Sequence, residues 1–393
     1  MTAGRPIDMP ARRLGYTPKA ETDWAKQAAG WTVQQGRAIQ SIPAPTFAES
    51  KRAAWVEAAL RGFGLSDVET DAVFNVYGCL RGSASNQPAL LITAHTDTIF
   101  NADTDLTQRT DGGLIYGPGL GDNSIAVAAL LALARELASR AAPPVDIWFI
   151  ATSREEGLGD LGGMKAAFQQ LGARTGAVLN IEGLALGRVY HGGIAVRRLK
   201  VTATAGGGHS WLHYGRPSAI HALVELCGQL LQLVPPSAPR TTFNIGLIEG
   251  GDAVNAIASR AACWLDLRSE TSGALAAFED EVRGIITRAA SDEIAFAIEV
   301  VGDRPAGSIS VDHPLVQTGI QALAAVGIEA ILETGSTDAN VPLAAGCPAI
   351  TLGVTRGGNA HRTDEFIESA PVAAGLAHLM MAVQLALRDL AAS

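Results

Sequence analysis

The sequence predicts an α/β fold that is interrupted by a smaller α+β domain. Apolar runs of strand length end repeatedly in His, Asp or Glu, and helical patterns separate these runs. The middle of the chain instead follows the order β-α-β-β-α-β, which is typical of ferredoxin-like domains. We therefore expect a main domain in two parts, 1–193 and 305–393, around an inserted domain at 194–304.

Length and composition limit the class of protein. The 393 residues are 48% hydrophobic, which suffices for a full core. A net charge of -9 without a basic run argues against nucleic acid as a partner. No apolar run approaches the roughly 18 residues of a membrane span, and residues 1–13 lack the apolar core of a signal peptide. We expect a cytoplasmic protein without a membrane partner.

The cysteines carry no motif. Cys79, Cys227, Cys263 and Cys347 are widely scattered without a C-x-x-C spacing. This pattern favours reduced thiols over disulfides or a zinc knuckle.

The elements follow in order. Two helices are predicted between about residues 21 and 63, because Trp24, Ala28 and Trp31 recur near helical spacing before a break at 42–45. The next elements are strands within 68–80, an apolar strand from Ala89, and a helix at 125–137 after a glycine-rich loop.

The inserted and closing segments also contain predicted helices and strands. The inserted domain is predicted as a strand from Val196, a helix at 217–233, strands at 242–248 and 261–267, a helix at 273–289 and a strand at 294–301. The closing part has a helix at 313–327, a strand at 349–354 and a helix at 370–390.

The strand from Ala89 ends in His95 and Asp97. A continuous apolar run suits a buried parallel strand, and open α/β sheets bind ligands at the carboxyl ends of such strands. Alone, His95 could equally be a hydrogen-bonded loop histidine.

Three other apolar segments end in the same way. They are 145–152, 177–181 and 349–354, and they run into Glu155-Glu156, Glu182 and a glycine-rich loop with His361. We expect these side chains to form one site at one edge of the sheet.

The loop from Gly117 to Ser124 carries Asp122 immediately before a helix. Its glycines do not complete a dinucleotide fingerprint, because Asp122 occupies the position of the third glycine. Asp122 could cap the helix, or its carboxylate could bridge two cations. Its neighbours in the sequence favour the bridge.

Glu155 and Glu156 are adjacent carboxylates at a strand end. Their repulsion is costly unless a cation or a shared proton compensates. Because neighbouring residues of an extended chain point to different sides, one can bind metal while the other faces a water. The alternative is an exposed acidic turn.

These motifs together resemble the two-metal amidohydrolases and exopeptidases of metallopeptidase family M20. That family includes carboxypeptidase G, succinyl-diaminopimelate desuccinylase, acetylornithine deacetylase, aminoacylase and peptidase T. The resemblance extends from about residue 30 and rests on His95-Thr-Asp97, Gly119 to Asn123, Glu155 to Gly157, Glu182 and Asn359-Ala-His361. It implies a zinc-exopeptidase-like domain with a mixed, mainly parallel sheet, and an inserted ferredoxin-like dimerisation or lid domain.

The resemblance also implies roles. It implies five ligands for two zinc ions: His95 and Glu182 for one, Glu156 and His361 for the other, and Asp122 as the bridge. Asp97 would orient His95, and Glu155 would act as general base. Manganese or cobalt could replace zinc, because imidazole and carboxylate ligands suit all three.

Residues of the inserted domain and a later loop complete the expected site. His209, in Gly206 to Trp211, resembles a histidine that reaches across a dimer and stabilises the oxyanion. Asn255 and Arg268 resemble residues that bind the substrate carboxylate, and Ser336 and Thr337 resemble a loop near the same group. Arg268 could instead form a structural ion pair with Asp266 or Glu270.

The implied reaction is hydrolysis of a peptide or N-acyl amide bond by a metal-bound hydroxide. The substrate would be small and carry a free carboxylate. Residues 155–163 and 336–340 are most similar to peptidase T, which favours a di- or tripeptidase. An N-acyl-amino-acid deacylase of the aminoacylase or desuccinylase type is the alternative, and a non-catalytic binding protein is the rival class. We expect a homodimer through the inserted domain.

Overall fold

A computed structural model of the protein describes residues 18–84 and 87–392. The expectation about residues 1–13 therefore lies outside the described residues. The helices are α1 (Pro18–Gln40), α2 (Ser50–Gly62), α3 (Ile125–Ala138), α4 (Gly162–Leu171), α5 (Ala219–Leu230), α6 (Ser272–Ala289), α7 (Pro314–Ala325), α8 (Asn340–Ala344) and α9 (Val372–Ala392). Within the described ranges, no helix has the length and apolar character needed to cross a bilayer.

The strands form one large sheet and three smaller ones. In chain order they are β1 (Ser66–Thr70), β2 (Val76–Leu80), β3 (Ala89–His95), β4 (Arg109–Asp111), β5 (Leu114–Tyr116), β6 (Ile147–Thr152), β7 (Thr175–Glu182), β8 (Arg188–Gly193), β9 (Ala195–Thr204), β10 (Gly208–His209), β11 (Thr241–Gly250), β12 (Ala256–Ile257), β13 (Arg260–Ser269), β14 (Ala295–Arg304), β15 (Gly307–Ser308), β16 (Ile331–Gly335), β17 (Ala349–Gly353), β18 (Gly357–Gly358) and β19 (Phe366–Glu368).

The large sheet is mixed, with a parallel centre. Its order is β1-β2-β6-β3-β7-β17-β8-β15, with β16 beside β8. The four neighbours β6, β3, β7 and β17 are mutually parallel. Every residue of β3 and β6 is buried, which explains their unbroken apolar sequences.

Helices cover both faces of this sheet. On β3, Leu90 and Ile92 belong to a core formed with α1, α2, α3, α7 and α9. Ala89 and Leu91 face the opposite core, which contains residues of α4 and α8. Alternate residues of one strand thus serve two cores, since successive side chains point to opposite faces. The predicted α/β architecture is confirmed.

Several short elements have no clear signal in the sequence. Strand β4 is fully exposed and three residues long, so it lacks an apolar signal, and it pairs with β5 in a small sheet that also contains β18 and β19. Helix α4 begins with two glycines, which are poor helix formers. Strands β8 and β16 extend the large sheet on the side of the inserted segment.

Residues 195–304 form a separate antiparallel sheet. Its order is β11-β13-β9-β14, and α5 and α6 pack against it with their own apolar cluster, including Leu199, Leu226, Phe278 and Val282. The predicted ferredoxin-like connectivity is therefore correct. The domain limits at 193/194 and 304/305 stay a prediction.

Both connections to this sheet meet at one side chain. Asn340 Nδ2 donates to the main-chain oxygen of Ile194 (2.8 Å) and to that of Pro305 (2.9 Å). Strand β15, just after the second connection, pairs with β8, just before the first. The entry and exit of the inserted sheet are thus held together.

Candidate metal centre

The carboxyl ends of the parallel strands bring the candidate ligands to one edge. His95 is the last residue of β3 and lies opposite Thr152, the last residue of β6, while Glu182 ends β7 opposite Gly353 of β17. Glu155 and Glu156 follow β6 directly. The loop after β18 carries His361 back to the same edge, where its ring contacts Glu156.

Asp122 lies between the two imidazoles. Its Oδ1 is 3.1 Å from His95 Nε2, and its Oδ2 is 3.0 Å from His361 Nε2. Each imidazole also has a glutamate of its own: Glu182 Oε2 is 3.6 Å from His95 Nε2, and Glu156 Oε1 is 3.1 Å from His361 Nε2. The Asp122 carboxylate therefore lies between two pairs, each of which consists of one imidazole and one glutamate.

The donor set suits divalent metal ions. One ligand atom from each of His95, Asp122 and Glu156 lies within 4.8 Å of the others. Imidazole nitrogen and carboxylate oxygen are ligands for zinc, and also for manganese and cobalt. The two oxygens of Asp122 face different imidazoles, as a carboxylate that bridges two ions requires.

The closely spaced carboxylates of the cluster also favour the binding of positive charge, as protons or as cations. Burial raises the pKa of Glu156 to about 7, although the hydrogen bond to His361 opposes this rise. Hydrogen bonds to Asp122 and Glu156 raise the pKa of His361 to about 10. Both shifts reduce the net negative charge of closely spaced carboxylates, which bound cations would do equally well.

Asp97 is buried beneath the cluster. Its Oδ1 accepts from the main-chain nitrogen of Glu155 (2.9 Å), and its Oδ2 accepts from that of Glu156 (3.0 Å) and from Thr46 Oγ1 (2.8 Å). His95 Nδ1 lies 3.2 Å from the main-chain oxygen of Asp97 and 3.6 Å from its carboxylate. Asp97 thus holds the turn with both glutamates as well as the ring of His95.

Two buried residues that the sequence analysis missed support the same loops. Arg52 is 1% exposed, and its Nη1 donates to the main-chain oxygen of Thr96 (2.8 Å), between His95 and Asp97. Glu365 Oε1 accepts from the main-chain nitrogens of Gly121 (2.6 Å) and Asp122 (2.9 Å). Glu365 therefore joins the turn of Asp122 to the loop that carries His361.

A cleft of about 740 Å³ opens over the cluster. The inserted sheet supplies Arg198, Asp266, Arg268 and Arg304 to its wall, and Ser336 and Thr337 line it from the main sheet. Arg268 Nε donates to Asp266 Oδ1 at 2.6 Å, which is the ion pair that the sequence analysis left open. Arg268 therefore both pairs with Asp266 and borders the cleft.

His209 and Asn255 lie elsewhere. They belong to the ribbon β10–β12 and its connecting loop, where Ser210 N donates to the main-chain oxygen of Asn255 (3.0 Å). Both side chains are exposed, and neither is among the residues that line the cleft. Within one chain the structure does not bring them to the metal cluster.

Comparisons with known proteins agree with this architecture. The family described as Peptidase family M20/M25/M40 matches residues 91–385. A succinyl-diaminopimelate desuccinylase of Corynebacterium glutamicum is 27% identical over 335 residues, which cover 83% of this chain and 89% of the relative.

Two solved structures share the fold. Aminopeptidase PepT from Bacillus cereus has a TM-score of 0.71 at 19% identity, with 91% of this chain and 98% of that chain covered. A tripeptidase from Staphylococcus aureus has a TM-score of 0.75 at 20% identity, with 92% and 99% covered.

Proposed function

This chain belongs to peptidase family M20/M25/M40, and from that premise we propose that it is a two-zinc hydrolase of small carboxylate-bearing peptides or N-acyl amides. The observation that carries the proposal is Asp122, whose two oxygens face the imidazoles of His95 and His361. His95 and Glu182 would hold one ion, and Glu156 and His361 the other. Manganese or cobalt are possible substitutes.

Glu155 is the proposed general base. Two divalent ions held by these ligands would lower the pKa of water, so that the water could act as a nucleophile near neutral pH. Glu155 lines the cleft next to Glu156 and is 6% exposed, so its carboxylate is shielded from bulk solvent. It takes the proton of the attacking water and delivers it to the departing amide nitrogen.

Within this reaction class we favour a di- or tripeptidase. The loops at 155–163 and 336–340 support this choice through their similarity to peptidase T. The structural relatives are named an aminopeptidase and a tripeptidase, whereas the relative from Corynebacterium glutamicum is named a desuccinylase. A deacylase is therefore the alternative, and the experiment must distinguish it from a peptidase.

Arg268 is the proposed selector of the substrate carboxylate. Its side chain is 42% exposed in the wall of the cleft, near Ser336 and Thr337. A guanidinium can bind a carboxylate through two parallel hydrogen bonds, and the two hydroxyl groups are additional donors. Asn255 would approach the same carboxylate from a second subunit.

Arg268→Ala should raise KM for free-acid substrates about 10- to 100-fold, because a charge-assisted hydrogen bond is lost. KM for the corresponding carboxamides should hardly change. Steady-state kinetics on paired acid and amide substrates measure both effects, with Arg283→Ala on α6 as the matched control. Equal changes for acids and amides would show that Arg268 is structural.

The inserted domain carries exposed apolar side chains, which we propose are covered by a second copy of the chain. They include Trp211 (84% exposed), Tyr214 (91%), Leu247 (60%), Ile248 (60%) and Val254 (106%). Leu247 and Ile248 lie on β11, an edge strand of the sheet. Exposed apolar groups beside a free strand edge favour pairing with another chain.

A dimer would bring His209 to the active site of the other copy. Its Nδ1 accepts from the main-chain nitrogen of Trp211 (3.2 Å), so the ring proton belongs on Nε2. No hydrogen bond occupies Nε2 of the exposed ring within the described ranges, so Nε2 can donate to the oxyanion that forms during hydrolysis. His209 lies on the ribbon β10–β12, opposite Ala256.

His209→Ala should lower kcat about 10²- to 10³-fold, as the loss of one oxyanion donor does. Metal content should be unchanged, because His209 is exposed and contacts no metal ligand among the described residues. The dimer should also be unchanged, because the variant retains the exposed apolar side chains that we propose the second copy covers. Kinetics, metal analysis and sedimentation test this, with His221→Ala on α5 as the control. A near-normal kcat would contradict the role.

The proposed function is tested with a panel of dipeptides, tripeptides and N-acyl amino acids, with and without a chelator. Chelator-sensitive release of amino acids from peptides supports the peptidase, and release only from N-acyl amino acids supports the deacylase. Full metal content without turnover of any amide would support a binding protein. The four free cysteines agree with a cytoplasmic location, which we propose as well.

A further inference from the structure

A guanidinium of the inserted sheet reaches the proposed general base. Arg304 is the last residue of β14, and only 4% of it is exposed. Its Nη1 donates to Glu155 Oε1 at 3.0 Å and to Ser336 Oγ at 2.8 Å. Its Nη2 donates to the main-chain oxygen of Glu155. Arg304 therefore holds both the side chain and the backbone of Glu155.

The contact differs from that of a substrate-binding arginine. The side chain of Arg304 is 5% exposed, compared with 42% for Arg268 in the same cleft. Its terminal nitrogens already donate to protein oxygens, whereas within the described part of the chain Arg268 donates to Asp266. A buried carboxylate with fixed hydrogen bonds has one orientation, which proton transfer from a neighbouring water requires.

Further contacts bind the loop of Glu155 to the inserted sheet. Asp303 N, on β14, donates to Asp160 Oδ2 at 2.9 Å, and Lys165 Nζ donates to the main-chain oxygen of Asp303 at 3.0 Å. On the neighbouring strand β9, Arg198 Nη1 donates to the main-chain oxygen of Gly157. Both strands that connect the inserted sheet to the main sheet thus contact residues 155–160.

We propose that Arg304 is a positioning residue that orients Glu155 for proton transfer and couples it to the inserted domain. The side chain spans the junction between the two sheets, one residue before the Pro305 oxygen that Asn340 holds. Displacement of β14 would therefore move the base relative to the metal ligands. This inference rests on the proposed function, because it assigns Arg304 to the same hydrolysis.

The test compares Arg304→Ala, Arg304→Lys and the control Arg197→Ala in the metal-loaded full chain. Arg197 lies on β9 and pairs with Asp303 and Glu279, away from Glu155. We expect Arg304→Ala to lower kcat about 10²-fold, with KM changed less than about threefold. Arg304→Lys should recover part of this loss, because one ammonium group can replace only some of the hydrogen bonds.

Added guanidinium ion should partly restore kcat of Arg304→Ala and leave Arg197→Ala unaffected, which a general loss of folding would not produce. Circular dichroism and metal analysis establish that the variants are folded and loaded. A large rise in KM at unchanged kcat would overturn the inference in favour of substrate binding. An unchanged kcat with an active wild type would overturn this inference alone, whereas a wild type without amide hydrolysis would overturn the proposed function too.

Discussion

Glu155→Gln should lower kcat about 10²- to 10⁴-fold, the range that a general base contributes. Glutamine retains the shape of the side chain but cannot accept the proton of the attacking water. Metal content should be unchanged, because the imidazoles contact Asp122, Glu156 and Glu182 and not Glu155. Steady-state kinetics together with metal analysis measure both expectations.

Glu69→Gln is the matched control for this substitution. Glu69 is exposed on β1 and accepts a hydrogen bond from Gln170. Its replacement by glutamine should therefore leave kcat unaltered. If Glu155→Gln kept more than about a tenth of the activity, the assignment of the base would be wrong. Loss of bound metal from Glu155→Gln would instead assign Glu155 as a ligand.

Removal of metal should abolish hydrolysis, with a fall in rate of more than about 10³-fold. The attacking water would return from a pKa near 7 to about 15.7, so its hydroxide would be rare at neutral pH. Asp122→Ala should have the same effect, because Asp122 contacts both imidazoles. Rates after chelation and after addition of zinc measure the loss and its recovery.

Metal binding should also stabilise the folded chain. A ligand at 100 times its Kd adds about 3 kcal/mol to the free energy of unfolding. Thermal unfolding with and without zinc should show this gain in the wild type and a smaller gain in Asp122→Ala. Asp280→Ala is the control, since Asp280 is exposed on α6 of the inserted domain. If the chelator changed neither the activity nor the stability of the wild type, the two-metal site would be refuted.

Local patterns were sufficient to predict the strand ends. The runs before His95, Glu155 and Glu182 are apolar because their strands are buried on both faces, and the change to polar residues marks the sheet edge. His361 lies several residues after the end of β17. The prediction that it approaches Glu156 therefore rested on the family resemblance. The fold brings all of these side chains together.

Arg304 and Arg52 had no comparable signal. A charged residue at the end of an alternating strand, or within a helix, is typically exposed. Arg304 is buried because β14 ends beside the loop after β6, although 149 residues separate it from Glu155. Arg52 is buried because the C-terminal ends of α1 and β3 lie against its helix. There the main-chain oxygens of Gln40 and Thr96 accept hydrogen bonds from its guanidinium.

By itself the sequence determined the α/β class, the inserted β-α-β-β-α-β segment and the types of side chain at the strand ends. These follow from periodicity and from the polarity of neighbouring residues, which are properties of short stretches of chain. Only the tertiary structure decided that Asp122 lies between two imidazoles, that Arg304 holds Glu155 and that His209 is exposed and does not line the cleft of its own chain. Such distances join residues far apart in the chain, so they depend on how the two sheets pack and on where the connecting loops return.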